Sequence, residues 1–510
     1  MLSAVDVPVC LTPNIAQLLW KSAAAHGDDV VIVSRDGDMT YTELTARAAA
    51  FAVSLRARGI ESGDRVAIFL ERGADAAAAF FGVAAVGGIA VIVSETLRPR
   101  QIEHICRHSS ARLLIASSVL LARQPRVAAP ELARLDPADV PVVGAWEPIP
   151  RVADDVVQLI YTSGSSGMPK GVTISHGNLW AGVQSVSRYL QLDSTDRIAS
   201  LLSFSFDYGF NQLLCALWCG GALVIEVARI PEDIVANLRD AEITVLAGVP
   251  HLWRQILATP TFAAPIPSLR AMTSTGGRLP TELVRRMRAS QPQARVFLMY
   301  GLTEAFRATC LPPDEVDAHP CSIGRAIPGS EVMVLRDDGT PCGPGEMGEL
   351  VQRGPTVTLG YWNDPVATAV KYGPNPCRPG GAPNGERVVY SGDLVRADDA
   401  GRLYFVGRRD KLIKSFGHRV SPDEIVEVIQ ASGEALEAVV TTEHDGMHGE
   451  QIVAVIRLIP NGSVARLRAF CRTELPRHMQ PARYQVETDP PRVPVDVAAI
   501  RAQCATFARE

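Results

Sequence analysis

The sequence predicts an α/β fold class: a large N-terminal domain with parallel-type sheets and a small β unit, followed by a small α+β C-terminal domain. Three observations carry this reading. Short apolar runs recur through the first part of the chain with helix-like segments between them. A sector from about 320 to 410 turns to Gly, Pro and Asp with alternating strands. The remainder, after Arg408-Arg409-Asp410, mixes helix and strand again. With 510 residues the chain is too long for one ordinary core; domains of roughly 100–200 residues imply about two to four structural units.

Residues 14–60 read as a helix, a short hairpin turning at Arg35-Asp36-Gly37-Asp38, and a second helix. The second helix opens on Thr40-Tyr-Thr-Glu43, a Thr-x-x-Glu capping pattern. Arg65–Leu70 is a buried strand, an Ala-rich helix follows, and Gly88–Val93 is the next strand. A strand–helix–strand rhythm of this kind implies parallel pairing with crossover helices. The rhythm resumes with apolar runs at Val156–Tyr161, Ile198–Leu202, Ala222–Val227, Ile243–Leu246 and Val296–Met299. In the β sector the alternating strands include Glu331–Leu335 and Arg402–Val406, and Pro374–Gly385 reads as a surface loop. Beyond it, helices are expected near Pro422–Ala431 and Val464–Thr473, with strands at Glu437–Thr441 and Gln451–Leu458. No short-period repeat marks a solenoid.

Composition narrows the function classes. The chain is 47% hydrophobic and 21% charged with a net charge of -5, so nothing suggests nucleic-acid binding. Ten cysteines lack C-x-x-C spacing, and the nearest pair, Cys215 and Cys219, has helical spacing inside an apolar stretch. Free thiols in a reducing compartment are the expectation. No apolar run reaches the roughly 18 residues of a membrane span, and the start has no basic leader, so a cytoplasmic protein without a membrane span is expected.

The chemistry is concentrated in four strings. Tyr161-Thr-Ser-Gly-Ser-Ser-Gly-Met-Pro-Lys-Gly171 follows a buried strand. Its glycines Gly164, Gly167 and Gly171 permit tight turns and expose amides. Thr162, Ser163, Ser165 and Ser166 add hydroxyls, and Lys170 adds a cation, which together can cradle a polyphosphate. Pro169 before the lysine separates it from the G-x-x-x-x-G-K-[ST] loop. The other strings are Met299-Tyr-Gly-Leu-Thr-Glu-Ala305, preceded by Ser274-Thr-Gly-Gly-Arg278; Tyr390-Ser-Gly-Asp-Leu394; and Gly407-Arg-Arg-Asp-Lys-Leu-Ile-Lys-Ser-Phe-Gly-His-Arg-Val420.

Taken in order, these strings resemble the signature motifs of the AMP-forming adenylating superfamily. That group holds acyl- and aryl-CoA synthetases, nonribosomal peptide synthetase adenylation domains and firefly luciferase. The likeness runs over essentially the whole chain and suggests a free-standing acyl or aminoacyl ligase. It implies ATP and Mg²⁺ as cofactors, a small carboxylic or amino acid as substrate, and CoA or the phosphopantetheine of an acyl or peptidyl carrier protein as acceptor. It also implies a large adenylating domain over 1–409 and a small, mobile C-terminal domain over 410–510.

Residue by residue, the resemblance assigns Thr162, Ser163, Gly164, Ser165, Ser166, Gly167 and Lys170 to the phosphates. Tyr300 would stack on adenine beside Gly276, Gly277 and Gly301. Thr303 would contact the α-phosphate, and Glu304 would help hold Mg²⁺, a hard oxygen ligand for a hard cation. Asp393 would accept from both ribose hydroxyls, and Arg408 would approach the ribose or phosphate. Asp410 would be the pivot between half-reactions, with Lys414 and Gly417 near the thiol. Ser203-Phe-Ser-Phe-Asp-Tyr-Gly-Phe-Asn-Gln-Leu213 resembles the acyl-pocket segment, with Phe206, Asp207 and Asn211 lining it. Asp207 matches the carboxylate that holds the substrate ammonium in amino-acid-activating members, although some acyl ligases also carry Phe-Asp there. Arg307 faces the same pocket, as a contact for a polar or anionic acyl group, or is an ordinary surface arginine.

One departure stands out. The superfamily ends on a Gly-Lys motif whose lysine bridges carboxylate and α-phosphate. Here the corresponding stretch, Asp489-Pro-Pro-Arg-Val-Pro-Val-Asp-Val497, lacks about three residues between Pro494 and Val495, and no lysine follows Lys414. Arg492 or Arg501 could supply a cation, but a guanidinium fork is not a lysine point charge. One such group is worth on the order of 10²–10³ in rate. Three readings stand: a lapse in the sequence record, an enzyme that is slow or works mainly in its second half-reaction, or a non-catalytic nucleotide and acyl binder.

Overall fold

The computed structural model describes residues 14–123, 132–141, 144–162, 169–226, 228, 230–277, 279–381, 385–409, 413–416, 418–420, 422–445 and 449–487. The chain divides into two compact units, the second beginning at about residue 411.

The first unit holds two large sheets. One runs in the order Gly360–Tyr361, Lys170–Ser175, Val156–Thr162, Ile89–Ile92, Arg65–Phe69, Leu113–Ala116, Ala133–Leu135. From Val156–Thr162 to Ala133–Leu135 every pairing is parallel. Helix Ala74–Ala85 supplies one crossover, and Ala76 through Ala85 are all buried. That burial on all sides is why its sequence is Ala-rich with no polar stripe.

The second sheet has a parallel half: Val30–Val33, Ala222–Ile225, Arg197–Ser200, Val245–Gly248, Ala271–Ser274 and Arg295–Tyr300, in that order. Beyond Tyr300 the chain turns back antiparallel as Thr309–Leu311 and then Ser322–Ala326. These carry the sheet onward into Leu403–Arg408, Arg387–Ala397, Met347–Arg353 and Glu331–Leu335. The small β unit expected over 320–410 is therefore hydrogen-bonded to the parallel strands as one continuous sheet. The apolar runs became strands with ends shifted by a few residues, as at Arg197–Ser200 and Val245–Gly248.

Capping decides where helices begin. Thr40 accepts from the amide of Glu43, and the Glu43 carboxylate takes the Thr40 amide at 2.8 Å, so the expected capping box starts helix Tyr41–Ala57. Ser175 and Asn178 do the same for helix His176–Leu190.

In the second unit, Ala435–Asp445 and Gly449–Leu458 pair antiparallel, and Arg483–Val486 adds a parallel edge. Helices Pro422–Ala431 and Val464–Glu474 close its core through Ile425, Ile429, Leu467 and Cys471. The short hairpin of Ile413–Ser415 and His418–Val420 precedes them. Among the described residues no helix is long and apolar enough to cross a membrane.

Candidate nucleotide and acyl site

Strand Arg295–Tyr300 ends the parallel half of its sheet, and the turn that follows carries most of the predicted chemistry. Gly301 is there because nothing larger fits. A Cβ at that position would lie 2.4 Å from the carbonyl oxygen of Phe306. Phe306 itself sits at φ 59°, a left-handed conformation costly for a bulky residue. The strained turn reverses the chain and points Tyr300, Glu304 and Arg307 into the interior, where all three are buried.

On one side, the Tyr300 hydroxyl donates to Asp393 Oδ2 at 2.5 Å. Asp393 is fully buried, and Arg408 Nε lies 3.3 Å from its other oxygen. Asp393 and Arg408 are direct partners on adjacent antiparallel strands, which fixes their approach. Aromatic ring, carboxylate and guanidinium, drawn from three separate motifs, thus share one cluster.

On the other side, Glu304 accepts at Oε1 from the Tyr361 hydroxyl at 2.6 Å. Its backbone carbonyl takes the Thr358 amide and hydroxyl, each at 3.0 Å. The ammonium of Lys170 lies 5.5 Å from the Tyr361 ring centre and pairs with Asp364 at 3.3 Å. Strand register sets Lys170 directly opposite Thr162 in the hairpin of Val156–Thr162 and Lys170–Ser175. Beside that pair, His104 meets the carbonyl of Pro169 at 3.1 Å and His108 meets the Tyr161 hydroxyl at 2.8 Å. Burial holds both imidazoles below their usual range and pushes Tyr161 up.

Residues expected to line the acyl pocket also lie near one another. Phe206 precedes helix Asp207–Cys219, and Asp207 is its first residue, where a carboxylate meets the positive end of the helix. Arg307 Nη1 lies 3.5 Å from Asp207 Oδ2. The Arg307 guanidinium also stacks over the Tyr208 ring at 4.5 Å and donates to the Phe306 carbonyl at 3.1 Å. A cavity of about 20 Å³ is lined by Arg307, Tyr208, Asn211, Gln212 and Thr273 and otherwise mainly by apolar side chains such as Ile198 and Met299. Arg307 is 3% exposed, which removes the surface-arginine alternative.

Residues 19–362 match the AMP-binding enzyme family. The chain belongs to that family. It is 30% identical over 491 residues to tyrocidine synthase 3 of Brevibacillus parabrevis, covering 95% of this chain but only 7% of that protein. It is 28% identical to the L-proline--[L-prolyl-carrier protein] ligase of Pseudomonas fluorescens, covering 90% of this chain and 93% of the relative. Among solved structures, a double mutant of the o-succinylbenzoate CoA synthetase of Bacillus subtilis, bound with a product analogue, superposes with a TM-score of 0.83. That match has 25% identity and covers 94% of this chain and 96% of the other.

For an AMP-binding enzyme, the described residues bring together Tyr300, Gly301, Asp393 and Arg408, and separately Glu304 with Lys170 through Tyr361. Gly276 and Gly277 follow strand Ala271–Ser274; Gly276 adopts φ +80°, which glycine alone takes without strain, and Gly277 abuts Pro250. Thr303 is half-buried in the same turn as Glu304. Ser163, Gly164, Ser165, Ser166, Gly167, Asp410 and Gly417 lie outside the described residues, as does the stretch from 488 to 510. Lys414 is described only as part of the strand Ile413–Ser415.

Tyr361, Thr358 and Asp364 were missed by sequence reasoning. Tyr361 stands 57 residues from Glu304 with no local pattern to mark it. Among the described residues no group of three or more His, Cys, Asp and Glu could hold a metal ion. A single carboxylate suits Mg²⁺, which keeps waters and binds mostly through substrate phosphates.

Proposed function

We propose that this chain is an ATP-dependent, AMP-forming acid–thiol ligase. The reading rests on the turn from Tyr300 to Glu304, which joins the Tyr300–Asp393–Arg408 cluster to the Glu304–Tyr361–Lys170 cluster. Asp393 and Arg408 address the ribose, Tyr300 the adenine ring, and Thr162 and Lys170 the phosphates. Glu304 is the protein ligand for Mg²⁺, which when bound would offset phosphate charge.

A carboxylate oxygen of the acid attacks the α-phosphorus. The bond from that phosphorus to the bridging oxygen breaks, and pyrophosphate leaves with the electron pair. Lys170 and Thr303 oppose the negative charge that builds on the phosphates. Nucleotide entry requires Lys170 to exchange Asp364 for a phosphate oxygen. The acyl group then passes to a pantetheine thiol, of CoA or of a carrier protein, with release of AMP. Asp410, Lys414 and Gly417 serve that second step, a role supported by the hinge-like string 407–420. The small acid substrate and thiol acceptor accord with what the carrier-protein ligase and CoA synthetase relatives are named for. A cytoplasmic setting accords with the free thiols of the described cysteines.

Acid-dependent ATP–pyrophosphate exchange tests the proposal. Exchange should appear with a short acid and fall on the order of 10²–10³-fold in Glu304→Gln. Tight ATP binding with no exchange across a broad acid panel would establish the binder reading that the missing Gly-Lys motif favours.

A further inference from the structure

The buried pair Asp207–Arg307 carries more than the ligase reading uses. Both residues are 3% exposed, and their charges neutralise each other at 3.5 Å. Arg307 spends Nη1 on Asp207 and on the Phe306 carbonyl, and one guanidinium face on the Tyr208 ring. Its Nε and Nη2, buried, have no hydrogen-bond partner. Those two nitrogens form the side-on edge of the guanidinium, whose parallel N–H groups match the two oxygens of a carboxylate. Asn211 Oδ1 and Gln212 Oε1, on residues lining the same cavity, are also buried without a partner. Buried polar groups are normally satisfied, so donors and acceptors left bare on residues around one small cavity point to a ligand that supplies the missing bonds.

We propose that Arg307 selects an acid bearing a second carboxylate, so that the substrate is a short amino dicarboxylic acid with its ammonium on Asp207. The proposal rests on the ligase reading above and names its substrate class. Charge balance supports it. A ligand bringing only an ammonium to Asp207 would leave the buried guanidinium without its carboxylate partner, and one bringing only an extra carboxylate would set two carboxylates on one guanidinium. A ligand bringing both leaves the site neutral. The cavity, about 20 Å³ and lined largely by apolar side chains around its few polar groups, has no room for a long acyl tail. The carboxylate bound at Arg307 is not the one that attacks ATP.

The test is ATP–pyrophosphate exchange on the full chain with matched acids. L-aspartate and L-glutamate carry both groups, their amides asparagine and glutamine lack the second carboxylate, and succinate and glutarate lack the ammonium. One of the two amino dicarboxylic acids should exceed its amide and its amine-free counterpart by about 10²-fold or more in kcat/KM, because sites built to pair a polar group reject analogues without it. Arg307→Gln should collapse the ratio of acid to amide toward unity, which a merely structural arginine would not do. Preference for an amide, a neutral amino acid or a plain monocarboxylic acid in the wild-type chain overturns this proposal and leaves the ligase reading standing. Exchange with no acid at all overturns both. The wild-type ratio decides the matter even where the Arg307 variant does not fold.

Discussion

Tyr361 holds one oxygen of Glu304 at 2.6 Å and lies beneath the Lys170 ammonium, so one hydroxyl positions the expected metal ligand beside the expected phosphate cation. Tyr361→Phe keeps the ring and removes that donor. A hydrogen bond to a charged group is worth roughly 1.5–3 kcal/mol, so exchange should slow about tenfold or more. The loss should be in kcat at saturating Mg²⁺ and ATP, and an unchanged kcat there would remove Tyr361 from the positioning of Glu304. The residues readable in advance at this scale were those inside contiguous strings: Tyr300, Glu304, Asp393 and Arg408. Tyr361 and Asp364 act through side chains that meet only when the sheet strand Gly360–Tyr361 pairs with Lys170–Ser175.

Helix His176–Leu190 shows what a single cap contributes. The Ser175 hydroxyl accepts from the Asn178 amide at 3.1 Å, and the Asn178 side-chain oxygen takes the Ser175 amide at 3.0 Å. The Asn178 amide group then donates to the carbonyls of Pro355 and Val357, at 2.8 and 2.9 Å. The same cap therefore anchors the segment leading to Thr358, which holds the Glu304 backbone. Ser175→Ala should lower stability by about 1 kcal/mol, the usual value of such a cap, read as a lower midpoint in chemical denaturation. A midpoint equal to wild type would show that the cap is redundant with its tertiary contacts. At this scale strand positions and the Thr40 cap were legible, because apolar runs and cap residues are local signals. That Arg402–Val406 lies beside Ser322–Ala326 was not, since pairing partners far apart in sequence leave no local trace.

Across the large unit, His176 ties distant parts of the chain together. It is fully buried, and its Nδ1 accepts the backbone N–H of Ile15, 161 residues away, at 2.9 Å. Burial, then the nearby Arg151 charge, push its pKa down to about 3 from an ordinary value near 6.5. Between those values the unfolded chain binds a proton that the folded chain refuses, so stability rises with pH and is lost as pH falls from about 6.5 toward 3. The slope for one such group is on the order of 1.4 kcal/mol per pH unit. His176→Gln should be the less stable protein at pH 7, yet lose less on moving to pH 5. Parallel denaturation curves at the two pH values for both proteins would remove His176 from the acid sensitivity.

What could be read from the residues alone was what unbroken strings carry: the α/β alternation, the Thr40 cap, the Tyr300–Glu304 turn and the aspartate of Tyr390–Leu394. Each owes its legibility to a requirement met within a few residues, whether an apolar period, a tight glycine turn or a cap. The tertiary structure alone decided that Tyr300, Asp393 and Arg408 form one cluster, that Tyr361 bridges Lys170 and Glu304, and that Arg307 is buried against Asp207. Side chains 57, 93 and 100 residues apart meet in the pairs Tyr361–Glu304, Tyr300–Asp393 and Arg307–Asp207 through strand order and the strained turn at Phe306, and neither is written in any local stretch of sequence.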